Sequence, residues 1–86
     1  MKKKHLKQFV EGDVLVGNLQ QRGTFSKSLT RFKIMVLQSD SLITKAYVLY
    51  QKELEFYSDL IFRKKDLSGK ETIFQTANLR SFKKIN

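Results

Sequence analysis

Phosphate-binding and base-stacking side chains gather in residues 21–30 (QRGTFSKSLT) and in the Arg31 that follows. Arg22, Lys27 and Arg31 are of the types that hold phosphate groups, and Phe25 offers a ring on which a base could stack. Because the segment has no apolar periodicity, we predict a long loop over 21–30, and long loops often carry function. The alternative is a structural loop whose Phe25 folds back onto the core.

Two further basic groups lie toward the C-terminal end of the sequence. The first comprises Arg63, Lys64, Lys65 and Lys70, and the second comprises Arg80, Lys83 and Lys84. We expect Lys64, Lys65, Arg80 and Lys83 to join the loop cations in binding a polyanion. The alternatives are that the first group protects a strand edge, for which Lys is a common device, and that the second is a solvated tail.

The net charge of +9 is concentrated at the two ends of the chain. Residues 1–33 carry +6 (eight cations, two acids), residues 34–62 carry −2 (two cations, four acids) and residues 63–86 carry +5 (seven cations, two acids). If the ends meet, the protein has one strongly positive face, as expected for a binder of nucleic acid or of another acidic macromolecule. A membrane partner is disfavoured because few apolar residues accompany the basic N-terminus. The sequence is also compatible with a homodimer.

The sequence lacks the groups that most enzymes use. It has no cysteine, and its single histidine, His5, cannot build a zinc site by itself. No serine lies in a nucleophile elbow, and no glycine-rich phosphate loop is present. We therefore expect no cofactor and no metal, and we favour a binding module over an enzyme. The absence of an apolar run of about 20 residues predicts a cytoplasmic protein.

These side chains must be positioned by a small β-rich domain. A chain of 86 residues is one domain at most, and we place it at 9–86, after a basic N-terminal arm at 1–8. Runs rich in Val, Leu and Ile predict strands at 13–20 and 31–38.

The stretch 42–62 fits two structures. Apolar residues at spacings of three and four fit a helix around 41–57, whereas the alternation of apolar and charged residues toward its end fits a half-buried strand. The density of Tyr and Phe favours strands, so we predict two of them, at 46–51 and 53–58.

The last third of the chain predicts a β-hairpin. Its strands are LIFRKK (60–65) and KETIFQT (70–76), with Gly69 at a positive φ, and the tail LRSFKKI (79–85) fits a last strand or a short helix. Together the elements predict a mainly-β fold, a small partly open barrel or rolled sheet of the SH3-like type. The expected core comprises Val14, Val16, Leu19, Ile34, Val36, Leu54, Phe56, Leu60, Phe62, Ile73 and Phe74.

Three short motifs occur in an order that is known from one protein family. Gly12-Asp13 opens the first strand, VLQSD (36–40) is an apolar strand that ends in a turn, and KETIFQTANLRSFKKIN (70–86) closes the chain with a Leu-Arg pair and lysines. This order resembles the MazF/PemK (Kid) family of toxin endoribonucleases, whose small barrel is shared with the gyrase poison CcdB.

The resemblance implies a metal-independent endoribonuclease and names two catalytic candidates. The family's catalytic arginine falls at Arg31, where Phe32 stands in place of the family's proline. The family's catalytic Thr or Ser falls nearest to Thr44.

Three function classes follow. The leading one is a non-catalytic module that binds single-stranded nucleic acid or RNA. The second is an endoribonuclease toxin of the MazF kind. The third is a small phage- or plasmid-type inhibitor that uses its basic face on an acidic protein surface. The Lys-, Ile- and Phe-rich composition without proline is typical of a bacterial or phage source.

Overall fold

The computed structural model describes residues 9–23, 26–58 and 66–86. They form one antiparallel sheet of five strands in the order β4-β3-β2-β1-β5. The strands are β1 (Val14–Arg22), β2 (Ser26–Ser39), β3 (Ile43–Ser58), β4 (Glu71–Gln75) and β5 (Lys83–Lys84), and a 3₁₀ helix (Thr76–Leu79) lies between β4 and β5. The predicted mainly-β class is confirmed.

The sheet is open. Strands β1, β2 and β3 pair in sequence order, β4 adds to β3, and the chain then returns so that β5 pairs with the other side of β1. Within the described residues the two edge strands, β4 and β5, do not pair with each other. This order is compatible with the SH3-like, partly open type that the sequence predicts.

Strand β2 defines the two faces of the sheet. Successive side chains of a strand point to opposite sides, and here Phe32, Ile34 and Val36 are buried whereas Arg31 and Lys33 are exposed. We call the side of Phe32 the inner face and the side of Arg31 the outer face. The register carries both faces across the sheet, because directly paired residues point to the same side.

The inner face is covered by the segment that follows β4. Leu79, at the end of the 3₁₀ helix, and Phe82, just before β5, are almost fully buried in the core cluster. Phe82 lies against Gly17 of β1, where a Cβ atom would come within 2.3 Å of the ring. Any residue with a Cβ atom would clash with the ring, so this position requires glycine. This contact fixes where β5 meets β1.

The turn between β2 and β3 is held by Asp40. Its Oδ1 accepts hydrogen bonds from the backbone N–H groups of Leu42 and Ile43, both at 2.8 Å. These two bonds hold the pKa of Asp40 below its ordinary value of 3.8 because they stabilise the carboxylate, and the bond from Ile43 has the larger effect. The turn is tied to the covering segment by the Thr76 N–H, which donates to the Leu42 carbonyl at 3.0 Å.

The prediction of a long loop over 21–30 is wrong. Strand β1 runs to Arg22 and β2 starts at Ser26, so most of the segment is the end of a β-hairpin. The polar composition of the segment suggested a loop, but hydrogen bonds between the two backbones hold these strands together, and such pairing does not require apolar side chains. Phe25 lies outside the described residues.

The strands predicted at 46–51 and 53–58 are confirmed as β structure but not as two separate strands, and the alternative helix around 41–57 is wrong. A single strand, β3, runs from Ile43 to Ser58. Its pairing with β2 is interrupted by three register shifts, at Leu29/Thr30, Lys33/Ile34 and Val36/Gln38. The first two shifts insert the extra residues Leu54 and Leu49 into β3, so the alternation of its side chains is reset twice, which accounts for the mixed spacing of two, three and four.

The predicted core is partly right. Ile34, Val36 and Phe74 are buried, and Leu19 packs against the core. On β1 the phase is off by one residue, because Leu15 is buried whereas Val14 and Val16 are only partly so. Leu54 and Ile73 are exposed. The core members that the sequence analysis missed are Phe9, Leu15, Phe32, Ala46, Val48, Leu79 and Phe82.

The remaining predictions concern the C-terminal third and the ends. Gly69 has the expected positive φ, 80°, and stands third in the turn in which the Lys70 N–H donates to the Leu67 carbonyl. The described partner of β4 is β3. The predicted strand 60–65, the arm 1–8 and the side chain of Phe56 lie outside the described part of the chain, and the tail forms both a 3₁₀ helix and a two-residue strand.

Candidate functional site

Two cross-strand pairs of like charge lie on the outer face. Arg22 of β1 is directly opposite Lys27 of β2, and Arg31 of β2 is directly opposite Lys52 of β3. Side chains in such positions have Cβ atoms about 4.5–5.5 Å apart, and like charges there destabilise a sheet. All four side chains are exposed. The repulsion between the paired cations lowers the stability of the free protein, and an anionic ligand bound between them would remove that repulsion.

A second row of outer-face residues crosses four strands beside the Arg31–Lys52 pair. Lys83 of β5 is paired with Val16, Val16 with Lys33, and Lys33 with Tyr50. Neighbouring strands are about 4.8 Å apart, so the row spans about 14 Å, and it lies about 7 Å from the Arg31–Lys52 pair. We call Arg31, Lys33, Lys52 and Lys83 the basic patch.

Among the described residues, no carboxylate pairs with a member of the basic patch. The two ion pairs lie elsewhere, between Lys45 and Glu71 at 3.5 Å and between Lys84 and Asp13 at 3.6 Å. Within the patch, Arg31 donates from Nε to the Asn18 Oδ1 at 3.1 Å, which orients its guanidinium on the surface. The four cations of the patch are thus not neutralised by ion pairing with a described carboxylate, and the nearest acidic residue of this face along the register is Glu55, opposite Leu29.

Tyr50 is placed on the outer face by a β-bulge. Lys33 pairs with Tyr50 but Ile34 pairs with Val48, so Leu49 is the extra residue. Leu49 and Tyr50 are 41% and 45% exposed, which is unusual for two consecutive apolar residues of a central strand. Bulges often re-aim side chains beside functional sites.

The structure divides the sequence-predicted site residues into three sets. Arg22, Lys27, Arg31 and Lys83 lie on the outer face. Arg80 is exposed and directly follows the 3₁₀ helix, in the segment whose Leu79 and Phe82 cover the inner face. Phe25, Lys64 and Lys65 lie outside the described residues.

The two catalytic candidates, Arg31 and Thr44, are not brought together. Thr44 is fully buried on the inner face opposite Ser39, eight residues beyond Arg31 on β2. At about 3.4 Å per residue the two lie about 27 Å apart along the strand and on opposite sides of the sheet. The described residues therefore contain no assembled Arg–Thr pair.

Thr44 belongs to a chain of hydroxyl groups. The Thr76 hydroxyl donates to the Asp40 carbonyl at 2.8 Å. Since a hydroxyl has one hydrogen, Thr44 must donate to Thr76 at 2.7 Å and Ser39 to Thr44 at 2.8 Å. The chain joins the β2–β3 turn to the covering segment, which gives Thr44 a structural role.

Comparison with protein-family models, with curated proteins and with solved structures finds no match for this chain. The resemblance to the MazF/PemK family therefore stays a prediction. In the described part of the chain, His, Cys, Asp and Glu nowhere cluster in a way that could hold a metal ion. The same residues include no helix with the length and apolar character to cross a membrane.

Three contributors to this face were missed from the sequence: Lys33, Lys52 and Tyr50. For Lys33 the signal is present in RFKIMV (31–36), where cations alternate with buried residues at the period of a strand. For Lys52 and Tyr50 the sequence carries no such signal, because the bulges that place these residues interrupt the alternation of side chains along β3.

Proposed function

We propose that this protein is a nucleic-acid-binding module that holds the phosphate backbone on the outer face of its sheet, without catalysis. The observation that carries the proposal is the Arg31–Lys52 pair, two like charges that face each other on an exposed surface and form no ion pair with a described carboxylate. A phosphate between the two would turn repulsion into attraction, and Lys33 and Lys83 extend the same positive surface.

Binding is favoured over RNA cleavage by the geometry of the catalytic candidates. Thr44 is buried and hydrogen-bonded on the inner face, and so it has no access to a strand held on the outer face. Arg31 can bind a phosphate there, and its described side-chain hydrogen bond is to Asn18 rather than to a catalytic partner.

The test is the salt dependence of binding, measured by fluorescence anisotropy with a labelled RNA and a labelled single-stranded DNA. Four phosphate contacts by the basic patch predict a slope of log K against log salt of about −3 for a single strand, at about 0.7 per contact. Arg31→Ala with Lys33→Ala should reduce the slope by about 1.4. Lys70→Ala with Arg80→Ala removes the same charge away from the patch and should leave the slope unchanged.

Equal losses from the two double variants would contradict a site on the outer face. Cleavage of the RNA would instead support an endoribonuclease. The absence of any shift at low salt would exclude nucleic acid and leave an acidic protein as the partner of the basic surface.

A charge reversal separates function from folding. Lys52→Glu replaces the like-charge pair with an opposite-charge pair across the strands, so the melting temperature should rise. Affinity for nucleic acid should fall, because a carboxylate then occupies the patch. A Lys52→Glu protein that is more stable and binds nucleic acid less tightly would support the proposal, whereas unchanged affinity would contradict it.

A further inference from the structure

We infer that the ligand of this face is a single strand whose bases stack on Tyr50. The inference rests on the proposed function and adds the class of nucleic acid and the residue that recognises it. A duplex keeps its bases stacked inside and offers mainly phosphates to a flat surface, whereas a single strand offers both phosphates and exposed base planes. A site for single strands therefore needs an accessible aromatic ring among its cations.

Tyr50 meets this requirement. It pairs directly with Lys33 on the outer face, in the row that ends at Lys83. Its side chain is 45% exposed. The aromatic pair found among the described residues is Phe32–Phe74 in the core, so the Tyr50 ring is not stacked on another described ring. A base could lie on Tyr50 while the phosphates beside it contact Lys33 and Lys52, its neighbours across and along the strand.

The bulge at Leu49 gives a reason for the exposure. Regular alternation would turn one of the residues 49 and 50 toward the inner face, but the extra residue leaves both exposed. Leu49 then supplies an apolar border to the ring. Phe25, the stacking residue predicted from the sequence, lies outside the described residues, whereas Tyr50 lies on the sheet beside the basic patch.

The experiment compares one oligonucleotide as a single strand and as a duplex, with wild type, three single variants and the Arg31→Ala/Lys33→Ala double variant. The wild-type protein should bind the single strand more tightly at the same salt concentration. Tyr50→Leu should weaken single-strand binding by about tenfold or more and leave the salt slope unchanged, because stacking involves no counterion release. Tyr50→Phe keeps the ring and should bind like wild type. Ile73→Ala removes an exposed apolar side chain elsewhere on this face and should have no effect.

The outcomes separate the two proposals. If the duplex binds as tightly as the single strand and Tyr50→Leu is neutral, while Arg31→Ala with Lys33→Ala still flattens the slope, the stacking inference is wrong and the proposed function stands. If neither form binds at low salt, both are wrong. Circular dichroism of each variant establishes that it is folded.

Discussion

Gly17→Ala tests the contact that places β5, and with it Lys83, on the sheet. The ideal Cβ would lie 2.3, 2.5 and 2.8 Å from three ring carbons of Phe82, against about 3.4 Å for an ordinary contact, so backbone or ring must move by about 1.1 Å. Overpacking of this kind costs about 1–3 kcal/mol, and complete expulsion of the ring would cost about the 3–5 kcal/mol of a Phe→Ala substitution. We expect a loss of about 2–4 kcal/mol, a large part of the roughly 4–13 kcal/mol expected for 86 residues.

The assay is urea unfolding followed by circular dichroism, carried out as a double-mutant cycle with Phe82→Ala. Without the ring, the three atoms nearest to the new Cβ are gone, so Gly17→Ala should cost little or even stabilise the strand, and the two changes should be strongly non-additive. Gly12→Ala is the matched control, since its Cβ would meet nothing within 4 Å and its cost comes from a φ of 94°. That cost should add to the cost of Phe82→Ala. Additive behaviour of Gly17→Ala, or a cost below about 0.5 kcal/mol, would refute the reasoning.

Two further predictions concern the β2–β3 turn and its attachment. Thr44→Val leaves the Ser39 hydroxyl without its acceptor, so it should lower the free energy of unfolding in urea by about 1–3 kcal/mol without changing nucleic-acid affinity. The control is Thr72→Val, on the same face but outside the hydroxyl chain, which should be neutral. An affinity loss in a folded Thr44→Val protein would contradict the structural role of Thr44. Asp40→Asn keeps the acceptor oxygen but removes the charge. Because the folded-state pKa of Asp40 is lowered, its carboxylate stabilises the fold above pH 3.8, and this contribution is lost as the pH falls through the folded pKa. The melting-temperature difference between wild type and Asp40→Asn should therefore be constant near neutral pH and shrink in acid, and a difference that persists in acid would contradict this.

The sequence predicts the class of the fold but not its registers. On β2 the alternation of Arg31 and Lys33 with Phe32 and Ile34 is clear, so the strand and its core residues Ile34 and Val36 were predicted, although Phe32 in the same pattern was missed. On β1 three consecutive apolar residues, 14–16, fit either phase, and only the packing of Phe82 on Gly17 determines which side is buried. Periodicity within one strand carries no information about such a distant contact.

The candidate site was predictable in its charge but not in its geometry. Cations alone cannot distinguish Arg80 from Lys83, three residues apart, yet Lys83 is paired with Val16 on the sheet whereas Arg80 lies in the segment that covers the inner face. Similarly, the pairing of Arg31 with Lys52 depends on a register shift at the neighbouring Leu29/Thr30 step. Bulges are set by the pairing of two strands, so neither strand's sequence indicates them by itself.

Lysine footprinting with a bound oligonucleotide tests the central claim most directly. Exposed lysines are acetylated with and without a saturating single strand at low salt, and each site is quantified by mass spectrometry. Lys33, Lys52 and Lys83 should become protected, because they lie on the outer face, whereas Lys70 in the turn before β4 and Lys84, which pairs with Asp13, should react as in the free protein. Protection of Lys70 and Lys84 with unchanged reactivity of Lys33, Lys52 and Lys83 would contradict a nucleic-acid site on the outer face.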